Sequence, residues 1–483
     1  MQLIVILRVM GLLLMIFSTT LLPPLFVSAY YGDGAHFAFA TPLFITLILG
    51  LALWLPVRNK RRDIRVRDGF VIVTLFWVLL ALSGSLPLSL AHHPHLTFTD
   101  AFFESISGLT TTGATVLTGI DELPQSIRYY RQQLQWLGGM GIVVLALAVM
   151  PMLGVGGMQL YRAETPGPLK DTKLMPRISE TAKALWYIYL GLTIACALAY
   201  WFAGMTPFDA IAHSFSTIAI GGFSTHDQSM GYFNDPAISA VAIVFMILAG
   251  VNFALHFGAW RHRSVGPYFQ DAEVRAYLTI LLVVVLITSA TLLVMGTFDS
   301  WRETLHHAVF QAVSIATTTG FTTTGFANWP VYLPVLLVTA AFIGGCAGST
   351  AGGMKVIRAL LLYKQGIREI FRLVHPAAIY PVKIGGRPTD DSVLNAVWGF
   401  FSLYVVSFAI LSLVMMGTGI DLITAFSAVA ATMTNLGPGL GDVADNYARL
   451  SATGKWVLCF AMLLGRLELF TLLVLFTRTF WRN

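Results

Sequence analysis

The sequence predicts an all-α membrane protein of ten transmembrane helices: two N-terminal helices, then four pseudosymmetric helix–pore segment–helix repeats about one axis. Three observations predict it. Of 483 residues, 56% are hydrophobic and only 11% charged, with a mean hydropathy of +0.73, whereas a soluble domain carries about 25% charged residues. So little polar surface cannot cover a globule of this length, and the missing solvent contact is lipid. Second, ten apolar stretches are long enough to cross the hydrocarbon core, which takes about 20 helical residues. Third, four segments between alternate stretches repeat one another. The three cysteines, Cys196, Cys346 and Cys459, each sit in an apolar run, which excludes a disulfide scaffold or a thiolate zinc site. The formal charge of +6 comes from short loop clusters, so it gives no argument for a nucleic-acid partner.

In chain order the stretches are 3–27, 37–57, 70–90, 136–153, 184–205, 237–257, 276–296, 331–353, 393–417 and 456–476. None shows the short alternating units of a membrane barrel. In the first, Arg8 precedes the apolar run and Val27-Ser28-Ala29 resembles a signal-peptidase site. That run is long for a signal core and lacks a compact basic start, so it reads as a retained helix. The chain divides into two N-terminal helices (1–57) and repeats at 68–157, 184–257, 276–363 and 393–476. Most of the 30 Lys and Arg fall in the loops at 58–68, 158–183, 261–275 and 355–387, or near the termini. Positive loops stay on the cytoplasmic side, so ten crossings place both termini there. The opposite loops carry an acidic excess that includes Asp100, Glu104, Asp121, Glu122, Asp209 and Asp227, with Arg128, Arg131 and Lys455 among their few bases. That excess has two readings, a cation-concentrating mouth or an ordinary solvated loop surface.

The external segments read TDAFFESISGLTTTGATVL (99–117), FDAIAHSFSTIAIGGFST (208–225), HHAVFQAVSIATTTGFTTTGF (306–326) and LITAFSAVAATMTNLGPGLG (422–441). Aligned on Gly113, Gly222, Gly320 and Gly437, they share an alanine twelve residues earlier (Ala101, Ala210, Ala308, Ala425). Six residues earlier stand Ser107, Ser216, Ser314 and Ala431. The inner stretches repeat LGG (137–139), LAG (248–250), IGG (343–345) and LLG (463–465) in phase, which is the mark of a pseudosymmetric assembly. A segment that dips into the bilayer and returns has irregular backbone at its apex, tolerated only against protein or water. A short helix entering such a segment points its negative end at the membrane centre, which favours a cation. Glycine then permits the positive φ that turns successive carbonyls to one side. Four such segments about one axis give rings of oxygens that replace an ion's water, which makes the axis a pore.

With TTTGA (110–114), AIGGF (219–223), TTTGF (317–321) and NLGPG (435–439) in place, the chain resembles the Trk/Ktr/HKT superfamily of potassium transporters. Its two extra N-terminal spans and its length are similar to the bacterial TrkH-type membrane subunit. The resemblance implies potassium uptake across the bacterial inner membrane, a homodimer, and a cytoplasmic TrkA-type regulatory ring. It places no cofactor in this chain and expects the nucleotide (ATP/ADP or NAD) on the partner. It also implies potassium-binding carbonyls at Thr111, Thr112 and Gly113; Ile220, Gly221 and Gly222; Thr318, Thr319 and Gly320; and Asn435, Leu436 and Gly437. The four strands differ, so the filter is expected to be less regular than that of a true tetramer. All four glycines are present, which within the family favours potassium over sodium.

The stretch GGCAGSTAGGMK (344–355) breaks the eighth span with five glycines. The resemblance places an intramembrane gating loop here, so Gly345, Gly348, Ser349, Thr350, Gly352, Gly353 and Lys355 are expected to form a movable plug. Arg466 lies inside the last span, where a guanidinium costs about 2.5–3.5 kcal/mol on insertion scales. It has two readings, a structural base paired with Glu468 or backbone carbonyls, or a gating cation beneath the filter. Glu468 is two positions away and off its helical face.

His92, His93, His95, His306 and His307 lack the companions of a metal site. Phe223 and Phe321 read as packing behind the filter. The basic loop at 58–68 either binds anionic lipid or simply sets topology. The loop at 358–392 is a candidate docking surface for a soluble partner. Two other functions compete. A secondary transporter of an organic solute, or a proton-coupled cation symporter, usually carries inverted or twofold repeats or an intramembrane relay. An intramembrane enzyme needs a nucleophile and base within the spans, and the sequence shows neither.

Overall fold

The computed structural model describes residues 2–60, 66–139, 141, 178–330, 332–467 and 469–482. Among these, α1 (Leu3–Thr19), α2 (Leu22–Tyr31) and α3 (His36–Trp54) form the N-terminal unit. Helices α4 (Val66–Leu90), α5 (Phe98–Leu109) and α6 (Gln125–Gly139) follow. The next group is α7 (Ile178–Phe202), α8 (Pro207–Ala219), α9 (Pro236–Ala249), α10 (Phe253–His262) and α11 (Gly266–Gln270). Then come α12 (Ala272–Met295), α13 (Trp301–Ala316), α14 (Tyr332–Ile343) and α15 (Val356–Val374). The last group is α16 (Asp391–Met416), α17 (Leu422–Met433), α18 (Ala452–Leu467), α19 (Leu469–Leu473) and α20 (Arg478–Trp481).

By length and composition six helices can cross a membrane, or eight if two bent pairs, α9 with α10 and α18 with the helix after it, each count as one span. Of the other expected spans, 136–153 lies mostly outside the described residues. The span at 331–353 appears as the 12-residue α14 followed by non-helical chain. The first stretch is helical, with one break before Leu22.

Helix α1 packs along α3 at a glycine pair. A methyl group on Gly11 would stand 2.7 Å from the Gly50 carbonyl, and one on Gly50 would stand 2.8 Å from the Gly11 carbonyl. Small residues let two helix backbones approach this closely, and van der Waals contact then holds them. The long loop expected at 358–392 is largely helix instead: α15 continues to Val374 with one strongly polar face. Its Leu, Lys, Arg, Gln and Glu are good helix formers, and Arg358 and Gln365 on the polar face are buried. A two-residue hairpin, Lys383–Ile384 against Arg387–Pro388, closes the connection.

Replacing Gly50 with Leu should destabilise the α1–α3 contact by about 1–3 kcal/mol, read as a lower melting temperature of the detergent-solubilised protein. An unchanged melting temperature would show that this contact does not support the fold.

Candidate functional site

Four short helices, α5, α8, α13 and α17, lead into the site. Each outer end is capped by a side chain: Thr97 accepts from the Asp100 amide, Thr206 from Asp209, Ser300 from Glu303, and Asp421 from Ile423 and Thr424. The first three are Ser/Thr-x-x-Asp/Glu boxes, a local sequence signal for a helix start. The shared alanines Ala101, Ala210, Ala308 and Ala425 are 0–1% exposed, so each is the small residue that lets its helix pack.

Beyond each helix end the backbone repeats itself. The amides of Thr112, Gly221, Thr319 and Leu436 donate to the carbonyls of Ser107, Ser216, Ser314 and Ala431 at 2.8–2.9 Å. The shared feature there is a carbonyl rather than a hydroxyl, which explains why alanine serves in the fourth segment. Two residues before each aligned glycine, Thr111, Ile220, Thr318 and Asn435 hold φ of +53° to +67°, and the glycines hold +78° to +96°. The residue between them does not, and this alternation is what turns consecutive carbonyls toward one side.

The four segments meet in a closed ring. A side chain on Gly113 would strike the Gly221 carbonyl, one on Gly222 the Thr319 carbonyl, one on Gly320 the Leu436 carbonyl, and one on Gly437 the Thr112 carbonyl. The strands are unequal. The Gly221 carbonyl accepts from Gln135 Nε2 at 2.5 Å, and the Gly437 carbonyl from the Tyr447 hydroxyl at 2.6 Å. Asn435 Nδ2 donates to Thr112 Oγ1 at 2.9 Å. Thr111 Oγ1 and Asn435 Oδ1 are buried with no hydrogen-bond partner among the described residues, and Asn435 Oδ1 lies against Gly465 of α18.

Behind the ring, Glu104 and Arg131 pair at 2.7 Å with 0% and 1% exposure. Both were read as external loop charges. Burial corrects that reading, because the pair fastens the chain leaving two segments. Glu104 accepts from the Val116 amide at 3.0 Å, and Arg131 donates to Thr115 Oγ1 and the Ser224 carbonyl at 3.1 Å. Phe223 lies under the Arg131 guanidinium at 4.3 Å, and Phe321 is fully buried. Beyond it, His226 bonds Asp121 and stands 3.4 Å from Asp209. Burial lowers the His226 pKa, but the two carboxylates outweigh it and raise the value above the ordinary imidazole range. For Asp121, burial raises and the His226 bond more than offsets it, so its carboxyl is held low.

Directly beneath the ring, residues 344–355 form the expected non-helical loop. Gly352 N donates to Thr318 Oγ1 at 2.7 Å, and Gly353 N to the Thr434 carbonyl at 3.0 Å. Thr350 Oγ1 donates to the Ile218 carbonyl at 2.9 Å, and the Lys355 ammonium bonds the Ala351 carbonyl. The Ser349 hydroxyl turns back to the Cys346 carbonyl at 2.6 Å. Gly345, Gly348 and Gly352 pack against the Gly250 carbonyl, Asn252 and the Thr434 carbonyl.

Arg466 donates to the Thr350 carbonyl at 3.2 Å and to the Gly138 and Gly139 carbonyls at 2.6 and 3.0 Å. Backbone carbonyls from two other repeats thus engage it. Glu468, its alternative partner, lies outside the described residues. Sequence reasoning missed Glu273 at the start of α12. Its Oε1 accepts from the Ala347 amide at 2.7 Å and the Ile357 amide at 3.1 Å, holding both flanks of the loop with one atom. A lone acid at a helix start looks like an ordinary first-turn charge, and only the fold shows its second partner. His306 and His307 bond Ser239 and Thr323.

The comparisons agree with this geometry. The TrkH family, described as "Cation transport protein", matches residues 35–482. The chain is 58% identical over 480 residues to the Trk system potassium uptake protein TrkH of Vibrio parahaemolyticus, covering 99% of each. It is 55% identical to the TrkH of Escherichia coli K12 over 476 residues, again 99% of each. The crystal structure of the potassium transporter TrkH from Vibrio parahaemolyticus superposes with a TM-score of 0.91 at 54% identity, covering 100% of both chains.

The His226, Asp121 and Asp209 cluster makes stability depend on pH. His226 gives stability that is full below its unfolded pKa and is lost as pH rises through its raised folded value. Asp121 gives stability present above the carboxylate range and lost as pH falls through its lowered value. Wild type should therefore lose thermal stability from pH 6 to pH 9 by more than His226→Gln does; parallel profiles would exclude the cluster. Glu104→Ala, which strands Arg131 in the interior, should cost about 3–5 kcal/mol, again measured by melting.

Proposed function

The chain belongs to the TrkH family of cation transport proteins, and from that premise we propose that it takes up potassium across a bacterial inner membrane through the four-segment ring. It is a transporter and not an enzyme. The observation that carries the reading is the closed ring of Gly113, Gly222, Gly320 and Gly437, each pressed on a carbonyl of the next segment. On this reading Thr111, Thr112, Ile220, Gly221, Thr318, Thr319, Asn435 and Leu436, with the four glycines, form the selectivity filter. Their oxygens stand in for the water of a desolvated potassium ion. The negative ends of four capped helices point toward the ion.

Residues 345–355 act as the gate on this reading. A loop that donates to Thr318 and Thr434 directly below the ring blocks the path of an ion leaving the filter inward. Arg466 adds a fixed positive charge at that level and holds the loop through Thr350. Glu273 is the positioning residue that ties the loop flanks to α12. An inward-negative potential contributes about 2.3 kcal/mol per charge per 100 mV, which suits channel-like flux without obligate proton coupling. Ten transmembrane helices with both termini cytoplasmic, a homodimer and a cytoplasmic TrkA-type nucleotide-binding ring complete the proposed assembly. The Vibrio parahaemolyticus and Escherichia coli relatives are Trk system potassium uptake proteins, which supports this reading.

Expression should restore growth of a potassium-uptake-deficient bacterium at low potassium, and Gly113→Asp should not. Failure of the wild type at full membrane expression would sink the assignment. In proteoliposomes, Arg466→Ala should raise rubidium flux about tenfold, the equivalent of one charge-assisted hydrogen bond of about 1.5 kcal/mol. Glu273→Ala should also raise flux, with Glu273→Gln closer to wild type, since an amide oxygen still accepts. Unchanged flux in both Ala variants would remove the loop as the gate.

A further inference from the structure

Away from the ring, a cavity of about 1000 Å³ opens between the first turns of α7 and helix α10. Helix α9 ends at Gly250, and α10 leaves it at 95°, with Asn252 Oδ1 accepting from the Ala254 amide at 2.8 Å to start the new helix. Helix α10 therefore runs nearly perpendicular to α9. The end of α7 at this cavity is the one opposite α8 and the ring, so the cavity lies at the interface away from the filter mouth. Tyr187 and Trp260 on its rim are 65% and 71% exposed, and Trp201 and Phe202 are exposed at the far end of α7. Exposed aromatics at the two ends of a span mark the two headgroup levels.

The walls are apolar, from Ile188, Leu192, Phe257 and Val265, while Lys183 and Arg263 stand at the rim and no acid lines the cavity among the described residues. The His256 ring at the floor is already satisfied by the Tyr268 hydroxyl at 2.8 Å and the Leu248 carbonyl at 2.9 Å. Neither imidazole nitrogen is therefore free to take a ligand's proton or a metal. What remains is a greasy slot with two cations at headgroup depth.

We propose that this cavity is a binding site for one anionic phospholipid, its phosphate between Lys183 and Arg263 and an acyl chain along Ile188, Leu192 and Phe257. Charge complementarity decides the occupant. A second copy of this chain packed on this face about a twofold axis would bring the same cations against each other. A zwitterionic lipid fills the slot but brings its own ammonium beside the two bases, so its net charge offsets neither of them. Gly191 lies in the wall with open space where a side chain would stand, so lipid can reach the helix backbone there. The proposal rests only on the membrane reading, and stands or falls apart from the filter.

The test uses the full-length protein in detergent, with native mass spectrometry of adducts formed with phosphatidylglycerol or phosphatidylcholine. Each base should contribute about fivefold to the anionic preference, about thirtyfold for the pair. Lys183→Gln with Arg263→Gln should remove that preference while leaving the gel-filtration profile unchanged. Gly191→Trp, which fills the slot, should remove the adduct itself. Inorganic phosphate at millimolar concentration should not compete, since it lacks the chain. A phosphatidylglycerol carrying a diazirine in its acyl chain should label peptides from α7 and α10. Unchanged preference in the charge variant, or equal adduct in Gly191→Trp, overturns the proposal. So does labelling confined to other helices, or crosslinking of the slot to a second copy or to residues 142–177 in place of lipid.

Discussion

Closure of the glycine ring is the constraint on which the rest of the structure depends. At each of four positions the space that a β-carbon would take is occupied by a carbonyl of the neighbouring segment. A side chain at any one of them therefore displaces two strands, not one, and the φ values of +78° to +96° add backbone strain for any other residue. Surrounding elements follow from the need to hold these contacts. The four short helices deliver the segments into the ring. The Glu104–Arg131 pair, Gln135 and Tyr447 fix them from behind.

A break in a helix within hydrocarbon leaves polar backbone that must find partners. At 344–355 those partners come from elsewhere in the fold: Glu273 on α12, Gly250 after α9, Thr434 after α17 and Thr318 after α13. The loop is thus a junction at which the repeats are tied together below the ring. Its own sequence is mostly small, so its order is borrowed from these contacts and not from packing of its side chains. On the proposed reading, movement of the loop means exchanging a defined set of bonds, of which the Arg466–Thr350 and Glu273 contacts are the charged ones.

Much of this was legible in the sequence because its signals are periodic. Hydropathy marks apolar stretches whatever their neighbours, and the aligned glycines and alanines repeat at a fixed offset from one another. What hydropathy cannot carry is direction. The stretch 237–257 looks like one span, yet the chain turns by 95° after Gly250, and the stretch at 331–353 is helical only to Ile343 among the described residues. Charges were misjudged for a related reason. Glu104 and Arg131 are 27 residues apart in the chain, and nothing local distinguishes them from loop charges such as Asp227. Glu273 gains its meaning only from amides some 80 residues downstream.

The ring is also written once, along a single polypeptide. In an assembly of identical subunits a substitution arrives at every corner together, and symmetry is kept by default. Here Ile220 faces Thr111, Thr318 and Asn435 at one level, and only two of the four segments carry paired threonine hydroxyls, at Thr110–Thr112 and Thr317–Thr319. Each quadrant is free to drift on its own, so selection can adjust one wall of the conduit at a time.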